Sequence, residues 1–225
     1  MGFLPSRDTP IWINNRDRLT STRKLVEWLQ RAGACYIHIL DNDSSYQPLL
    51  DWYKTLKVAD VLVHKLSKNR GPWALWESGL CHDCTFPFIL TDSDCVPARN
   101  CPYDLMDKCW EVYNRYPNTQ KVGPGLKIDN LPEYYDRRTK VLQHEKVFSM
   151  DCHEVPERDC YHALIDTTFA LYRPTANGRP PGNHHQFRLK APYLVEHVPW
   201  YENSASPSEE EVYYREHCHR NWVNW

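Results

Sequence analysis

Four apolar, strand-like segments alternate with three helix-like segments over residues 9–94, and this alternation constrains the fold more than any other feature of the sequence. The strand-like segments are 9–15, 35–43, 59–66 and 86–94, and the helix-like segments are 16–33, 46–56 and 71–80. Strands that alternate with helices pair in parallel, and right-handed crossovers place the helices on both faces of the sheet. The pattern therefore predicts an α/β fold with a doubly wound, mostly parallel, twisted sheet.

The second half of the chain has a weaker pattern. It predicts a helix over 103–116, a strand with a turn over 120–128, mixed helix and loop over 131–148, a strand over 163–173 and a final helix over 207–222. Residues 174–185 are rich in proline, glycine and asparagine, so we expect an exposed loop that can act as a mobile lid. Neither a repeat nor a change in composition divides the 225 residues, and we expect a single domain, 1–225.

Charge and composition argue against several classes of protein. The formal net charge is -2, so no field attracts the chain to nucleic acid, and we expect no nucleic-acid partner. No apolar run approaches the roughly 20 residues of a membrane span, and the start lacks an apolar signal region. We therefore expect a cytoplasmic protein without a transmembrane segment, which could be one domain of a larger protein.

The nine cysteines form an odd number, which favours reduced thiols inside a cell. Cys81 and Cys84 have the C-x-x-C spacing of many zinc sites, and Cys95 and Cys101 lie nearby in sequence. A structural zinc site needs four ligands, and no second C-x-x-C pair follows. Buried or incidental thiols are therefore the favoured interpretation, with zinc as the alternative.

Two aspartates, Asp92 and Asp94, flank Ser93 directly after the apolar start of the fourth predicted strand. Neighbouring carboxylates repel each other and lose hydration on burial unless a cation lies between them. Carboxylate oxygens suit Mg²⁺ or Mn²⁺, and such an ion keeps open positions that diphosphate oxygens can fill. We therefore expect a site for a divalent metal and a diphosphate here, whereas a solvated turn is the alternative.

Polar residues also follow the three earlier predicted strands. Asn14 lies at the end of the first strand and Arg16 follows it, Asp41 lies at the end of the second strand, and Asn69 and Arg70 follow the third. Ligands of α/β sheets bind beyond the carboxyl ends of the strands, where an acidic residue commonly accepts hydrogen bonds from a ribose or a base. These residues are therefore candidates for a nucleotide site, although an ordinary turn and a helix-capping loop would explain several of them.

Together these features resemble the glycosyltransferases of the GT-A fold, close to the large family typified by bacterial polysaccharide synthases. The resemblance spans about residues 9–200 and rests on the Asn/Arg turn, Asp41, the loop "NRG" and the motif "TDSD". It implies a nucleotide-sugar donor, in the first place a UDP-sugar, with Mn²⁺ or Mg²⁺. The acceptor would be a glycan, a glycoprotein or another hydroxyl compound. Residues 9–100 would then bind the nucleotide, and residues 101–225 would serve the acceptor and catalysis.

The resemblance also implies roles for individual residues. Asp94 would be the main metal ligand, and Asp92 would contact the ribose or the metal. Asp41 would bind the uracil or the ribose. The predicted nucleotide-sugar-binding set is Asn14, Arg16, Asp41, Asn69, Arg70, Asp92 and Ser93. Additional positive charge for the diphosphate is expected from Lys68, Arg70, Arg179 or Lys190.

Two later residues are candidates for the same site. Asp166 is a carboxylate within an apolar run, which is costly unless the charge is paired or functional. In inverting members of the fold a carboxylate near this place deprotonates the acceptor, although their usual Glu-Asp pair is absent here. A salt-bridged structural role for Asp166 is the alternative, and Asp151 and Glu154 are further candidates for the base. His197 is similar to a late histidine that binds the metal in some members, or else it is a packed histidine.

Two other functions fit parts of the sequence. A nucleotidyltransferase would use a related sheet, but it usually needs a glycine-rich loop after the first strand, and "NNRDRLTST" has no glycine. A non-catalytic module that binds a nucleotide or a carbohydrate is the second alternative. The presence of Asp92, Asp94 and Asp166 argues weakly against such a module.

Overall fold

The computed structural model describes residues 6–82, 84–175 and 179–218, and these residues form an α/β fold around a nine-stranded sheet. The strands are β1 (Ile11–Asn15), β2 (Ile37–Asp41), β3 (Val61–Lys65), β4 (Phe88–Asp92), β5 (Cys95–Pro97), β6 (Lys121–Leu126), β7 (Cys160–His162), β8 (Ala170–Tyr172) and β9 (Gln186–His197). The helices are α1 (Thr20–Arg31), α2 (Gln47–Thr55), α3 (Ala74–Glu77), α4 (Leu105–Arg115), α5 (Arg138–Lys146) and α6 (Glu209–His217). Within the described ranges, none of these helices has both the length and the apolar character that a membrane crossing needs.

The sheet has two parts. Its first part has the order β3-β2-β1-β4, and all of its strands are parallel, as the alternating pattern predicts. The order continues β8-β6-β9-β5, with β7 paired to β9, and every antiparallel pair includes a strand later than β4. Because β1 lies between β2 and β4, its carboxyl end brings Asn14 beside Asp92 and Asn15 beside Asp41.

Helices cover both faces of the sheet. On one face Ile13 and Ile39 are fully buried against α1, α2 and α4. On the other face Leu40 and Phe88 pack against the short helix α3. Each such side chain contributes roughly 1.5–3 kcal/mol when it leaves water. The fold class predicted from the sequence is confirmed, and the packed sheet fixes where the carboxyl ends of its strands lie.

Some elements differ from the sequence prediction. The helix expected over 71–80 is a 3₁₀ turn, Gly71–Trp73, followed by the one-turn helix α3, and Gly71 and Gly79 both have positive φ. The strand expected over 163–173 is confined to β8. Side chains explain the second difference, because Gln186 accepts from the Ile165 N–H at 2.7 Å and Lys121 donates to the Ile165 carbonyl at 3.2 Å. These bonds hold the segment that contains Asp166 as a loop.

The strands β5, β7 and β9 are not predicted by the sequence patterns, although β9 is the longest strand in the described part of the chain. The final helix α6 covers only part of the predicted 207–222, and residues 219–222 lie outside the described residues. Residues 176–178 of the predicted lid also lie outside them. The role of segment 174–185 as a lid therefore stays a prediction.

Candidate active site

A cleft of about 990 Å³ opens beyond the carboxyl ends of β1 and β4. Eight of the predicted site residues line it, namely Asn14, Arg16, Asn69, Asp92, Ser93, Asp94, Asp166 and His197. Asp41 and Arg70 do not. The parallel part of the sheet and the later strands thus meet at one cleft, where ligands of α/β sheets usually bind.

The two carboxylates of the Asp92–Asp94 turn lie close together in this cleft. Asp92 Oδ2 accepts a hydrogen bond from the Thr167 hydroxyl at 2.5 Å, and the Ser93 N–H donates to the Asn14 carbonyl at 3.1 Å. Burial and the charge of Asp94 raise the pKa of Asp92 well above its usual range. A cation at this turn would offset that repulsion, which is the physical reason that the sequence predicts a metal here.

His197 reaches the same turn from the end of β9. The pairing of β5 with β9 places Cys95 opposite His197, and the Val198 N–H donates to the Asp94 carbonyl at 2.8 Å. His197 Nε2 then lies 3.7 Å from Asp94 Oδ2, which is too far for a hydrogen bond. Among the described residues, His197 Nδ1 has no hydrogen-bond partner. Burial lowers the pKa of His197, and the neutral imidazole this favours is the form that binds metals.

Asp94 and His197 fit a divalent cation. A carboxylate oxygen and an imidazole nitrogen suit Mn²⁺, and Mg²⁺ is commonly held by one or two carboxylates with substrate phosphates completing the shell. Within the described ranges, no group of three or more His, Cys, Asp and Glu side chains could hold an ion. Two protein ligands such as Asp94 and His197 leave coordination positions open for substrate oxygens.

A network of asparagines shapes the wall of the cleft near the third strand. The side-chain amides of Asn14 and Asn42 both donate to the Gly71 carbonyl, at 3.2 and 3.0 Å. Asn69 accepts from the Gly71 N–H at 2.9 Å, and Asn42 accepts from the Arg70 N–H at 2.7 Å. Gly71 has φ of 63°, a conformation that glycine adopts at little cost. Asn42 is a cleft residue that the sequence analysis missed, because it looked like an ordinary turn residue.

Asp41 and Arg70 lie differently from the other predicted residues. Asp41 is 3% exposed, and its carboxylate lies 3.4 Å from the hydroxyl of Tyr53, which in turn accepts from the Asn15 amide at 2.8 Å. The guanidinium of Arg70 donates to the Glu77 carbonyl at 2.7 Å. These contacts stabilise the ends of β2 and α3. The predicted contacts of Asp41 and Arg70 with a nucleotide stay predictions.

Two arginines enter the cleft from the loop between β1 and α1. Arg16 donates to the carbonyls of Asn42, Asp43 and His217 at 2.8–3.1 Å, and so links the ends of β1 and β2 to α6. Arg18, which the sequence analysis missed, is buried and pairs with Glu211 of α6. Both Arg18 and Glu211 belong to segments that look like ordinary polar helix ends, so no local signal marks them.

Asp166 is exposed to the cleft. Its carboxylate accepts from the Thr167 N–H at 2.9 Å, while the Thr167 hydroxyl binds Asp92, so the loop connects the predicted base to the predicted metal site. Asp166 forms no ion pair within the described ranges, which disfavours the salt-bridged alternative. The other two candidates for the base, Asp151 and Glu154, do not line the cleft.

Neither a protein-family model nor a curated protein matches the sequence. Solved structures do match. The mannosyltransferase PcManGT from Pyrobaculum calidifontis, solved with GDP-Man and Mn²⁺, has a TM-score of 0.51 at 10% identity, over 84% of this chain and 56% of that one. S. aureus TarS 1-349 has a TM-score of 0.53 at 13% identity, over 84% of this chain and 60% of that one.

The chain has the GT-A fold. This confirms the fold that the sequence resemblance implies, and at these identities the likeness concerns the fold alone. The chain spans 56–60% of the length of these two structures. The GT-A sheet accounts for the position of the cleft, and the chemistry of the cleft depends on the side chains described above.

Proposed function

We propose that this chain is a metal-dependent glycosyltransferase, which moves a sugar from a nucleotide-sugar donor to a hydroxyl acceptor. The observation that carries the proposal is the meeting of Asp94 and His197, 3.7 Å apart, in a cleft that Asp92 and Asp166 also line. The likeness to PcManGT, which was solved with GDP-Man and Mn²⁺, supports it. His197 places Nε2 beside Asp94 and leaves Nδ1 without a hydrogen-bond partner among the described residues, whereas the polar atoms of a buried packing residue are usually hydrogen-bonded.

Different residues of the cleft would have different roles in such a reaction. Asp94 and His197 would hold a Mn²⁺ or Mg²⁺ ion, which when bound supplies a Lewis acid for the leaving diphosphate. Asn14 and Asn69 line the side of the cleft that would receive the nucleotide. Asp92, oriented by Thr167, would accept a hydrogen bond from the ribose or help to hold the metal.

Asp166 is the proposed general base of an inverting transfer. The acceptor hydroxyl oxygen bonds to the anomeric carbon while the bond from that carbon to the diphosphate oxygen breaks. The hydroxyl proton passes to a carboxylate oxygen of Asp166. Asn183 also lines the cleft, so movement of residues 179–185 over a bound donor would exclude water, the competing acceptor.

The donor is proposed to be a UDP-sugar. A GDP-sugar is the alternative donor against which it is tested. The acceptor is proposed to be a glycan or a glycoprotein. Aromatic residues from the segments on either side of α5 and from the turn after β9 also line the cleft, namely Tyr135, Phe148 and Trp200. Aromatic side chains of this kind pack well against sugar rings, which suits a carbohydrate acceptor.

The test is an assay of the purified chain with UDP- and GDP-sugars, Mn²⁺ and a panel of glycan acceptors. The proposal expects metal-dependent release of nucleoside diphosphate, with slow hydrolysis when no acceptor is present. The Asp94→Asn variant should lose this activity, whereas Asp129→Asn, at an exposed carboxylate outside the cleft, should retain it. Metal-dependent binding without turnover on any acceptor would favour a binding module instead. Release of pyrophosphate from a nucleoside triphosphate and a sugar phosphate would favour a nucleotidyltransferase.

A further inference from the structure

Arg18 is a buried cation in the wall of the cleft. The residue is 7% exposed, although it follows β1 in a connecting loop where arginines are usually solvated. Its guanidinium lies 3.7 Å above the ring of Tyr214 and pairs with the carboxylate of Glu211. Both partners belong to α6, so a helix near the end of the described chain holds a side chain from its beginning.

The partners of Arg18 leave part of its charge and hydrogen-bonding capacity unused. A guanidinium has five N–H donors, and within the described ranges the buried Nε of Arg18 has no acceptor. Glu211 also accepts from Arg215 at 2.6 Å, so one carboxylate serves two guanidinium groups. The cluster of Arg18, Arg215 and Glu211 therefore has a net positive charge. A buried cation costs several kcal/mol unless other groups compensate for it.

This cluster faces the predicted metal site. Burial lowers the pKa of Arg18, but Glu211 and then Asp94 raise it overall, so the charge of Asp94 reaches the guanidinium. Arg18, Asp94 and His197 also line the same cleft. A cation at this position therefore shares the cleft with the turn at which the donor diphosphate is proposed to bind.

Other positive side chains are less suited to this role. Lys68, Arg70, Arg179 and Lys190, which the sequence analysis favoured, do not line the cleft. Four further arginines do line it. Arg137 is exposed to solvent, which screens its charge, and Arg215 pairs with Glu211. The other two are engaged elsewhere. Arg16 donates to three main-chain carbonyls, and Arg188 pairs with the buried Glu145.

We propose that Arg18 binds the diphosphate of the donor and stabilises the negative charge that develops on it as the sugar leaves. This inference rests on the proposed glycosyltransferase function and names a residue that neither the motifs nor the comparisons identify. A guanidinium can donate two parallel hydrogen bonds to phosphate oxygens, which an ammonium group cannot reproduce. Arg18 would thus add to the positive charge that a metal at Asp94 and His197 supplies to the diphosphate.

The helix α6 is then part of the donor site. Glu210 accepts from the N–H groups of Leu19 and Thr20 at 3.1 and 2.9 Å, and caps α1, which has no side-chain cap of its own. A carboxylate at a helix N-terminus stabilises the helix. Glu210 therefore fixes the residues that directly follow Arg18, while Glu211 and Tyr214 fix its guanidinium.

The test compares ligands with and without phosphates on three variants. Binding of UDP and GDP in Mn²⁺ is measured by calorimetry, and binding of uridine and guanosine by saturation-transfer NMR. Arg18→Lys retains the charge, and the double variant Arg18→Gln/Glu211→Gln removes both charges of the pair, so that no lone buried charge remains. Arg23→Lys, at an exposed ion pair on α1, is the matched control.

Arg18→Gln/Glu211→Gln should weaken the binding of the nucleoside diphosphate about 10- to 100-fold, and Arg18→Lys should weaken it less. The saturation-transfer signals of uridine and guanosine should not change in these two variants. Arg23→Lys should bind all of the ligands as the unmodified chain does. Equal losses of affinity for diphosphate and nucleoside would overturn the inference, because Arg18 would then only maintain the shape of the cleft. Undiminished diphosphate binding in both Arg18→Lys and the double variant would also overturn it, and would leave the proposed glycosyltransferase function standing. Failure of the unmodified chain to bind any of these ligands would overturn the proposed function itself.

Discussion

The parallel part of the sheet and the later strands contribute to the cleft in different ways. Strands β1 to β4 place Asn14, Asn69 and the Asp92–Asp94 turn at one edge, because each lies at or shortly after the carboxyl end of its own strand. His197 and Asp166 arrive by long-range contacts, through the pairing of β5 with β9 and through the loop before β8. The groups proposed to bind the nucleotide are thus set by local sequence. The groups proposed to act on the reacting atoms depend on tertiary pairing.

This difference predicts that the two parts respond differently to substitution. Changes in the later part should impair metal binding and transfer while the parallel sheet stays intact. Changes on the far side of the parallel sheet should alter stability without altering the cleft. Substitutions in each of the two parts test this division.

Asp166→Asn should have the largest effect. The amide retains the acceptor oxygen for the Thr167 N–H but cannot take the acceptor proton, so we expect kcat to fall about 10²- to 10⁴-fold. The affinity for nucleoside diphosphate should stay within about twofold of that of the unmodified chain. Asp129→Asn is the control in the same kinetic assay. A kcat within about tenfold of the original value would assign the base to another residue.

Gly123→Ala tests whether the stability of the later part of the sheet depends on the close approach of β6 to β8. An added Cβ would lie 2.2 Å from the Phe169 carbonyl oxygen and 3.2 Å from the Ala170 Cα, so β6 and β8 must separate. We expect the free energy of unfolding to fall by about 1–3 kcal/mol, as overpacking usually costs. Gly182→Ala is the matched control, because its Cβ would meet nothing closer than 3.9 Å. Identical urea denaturation curves for the two variants would contradict this account of the β6–β8 contact.

His197→Ala should weaken the response to Mn²⁺ without removing the donor site. Loss of the imidazole leaves Asp94 as the nearest remaining ligand, and we expect at least about tenfold more Mn²⁺ to be needed for half-maximal activity. His162→Ala, at an exposed histidine outside the cleft, should behave like the unmodified chain. An unchanged Mn²⁺ dependence in His197→Ala, with an unchanged melting temperature, would make His197 a packing residue.

We expect a histidine pair in the parallel part of the sheet to affect the stability of the fold without affecting ligand binding in the cleft. His38 Nδ1 lies 3.0 Å from His64 Nε2, and the His38 ring stacks on Trp12. Burial, and then the charge of His64, lower the pKa of His38 to about 4. The unfolded chain takes up this proton near pH 6.5, so stability should be lost as the pH falls from about 6.5 to about 4.

His38→Phe keeps an aromatic ring over Trp12 and removes the titrating group. Its urea midpoint should fall less between about pH 7.5 and about pH 5 than that of the unmodified chain, and its diphosphate binding should not change. His162→Phe controls for the loss of an exposed histidine. Equal pH dependence in His38→Phe and the unmodified chain would show that His38 is not buried as a neutral ring.

The sequence predicted the parallel part well because its signals are local. Apolar runs such as the one before Thr91 end at polar turns, and the strand–helix alternation leaves few possible topologies. Strand β9 was harder to predict, because charged residues and Pro192 interrupt its pattern, and its partners β6, β7 and β5 are distant in sequence. The place of His197 came from the family resemblance rather than from periodicity.

Arg18 and Glu211 illustrate what no local pattern could show. Arg18 lies in a segment with the polar character of a helix start, and Glu211 belongs to an acidic triplet that favours a helix N-terminus. Their burial results from α6 packing on the loop after β1, a contact between the two ends of the described chain. Asp41 shows the reverse case: its position after a strand suggested a ligand contact, but neighbouring side chains enclose it.

In the proposed site, Asp94 and His197 hold one divalent cation together with the diphosphate of the donor. Electron paramagnetic resonance of free Mn²⁺, titrated with the chain in the presence and absence of UDP or GDP, tests it most directly. The account predicts that one Mn²⁺ binds per chain when the nucleoside diphosphate is present, and that Asp94→Asn abolishes this binding while Asp129→Asn does not. Mn²⁺ binding of equal strength in the Asp94→Asn variant would contradict the account.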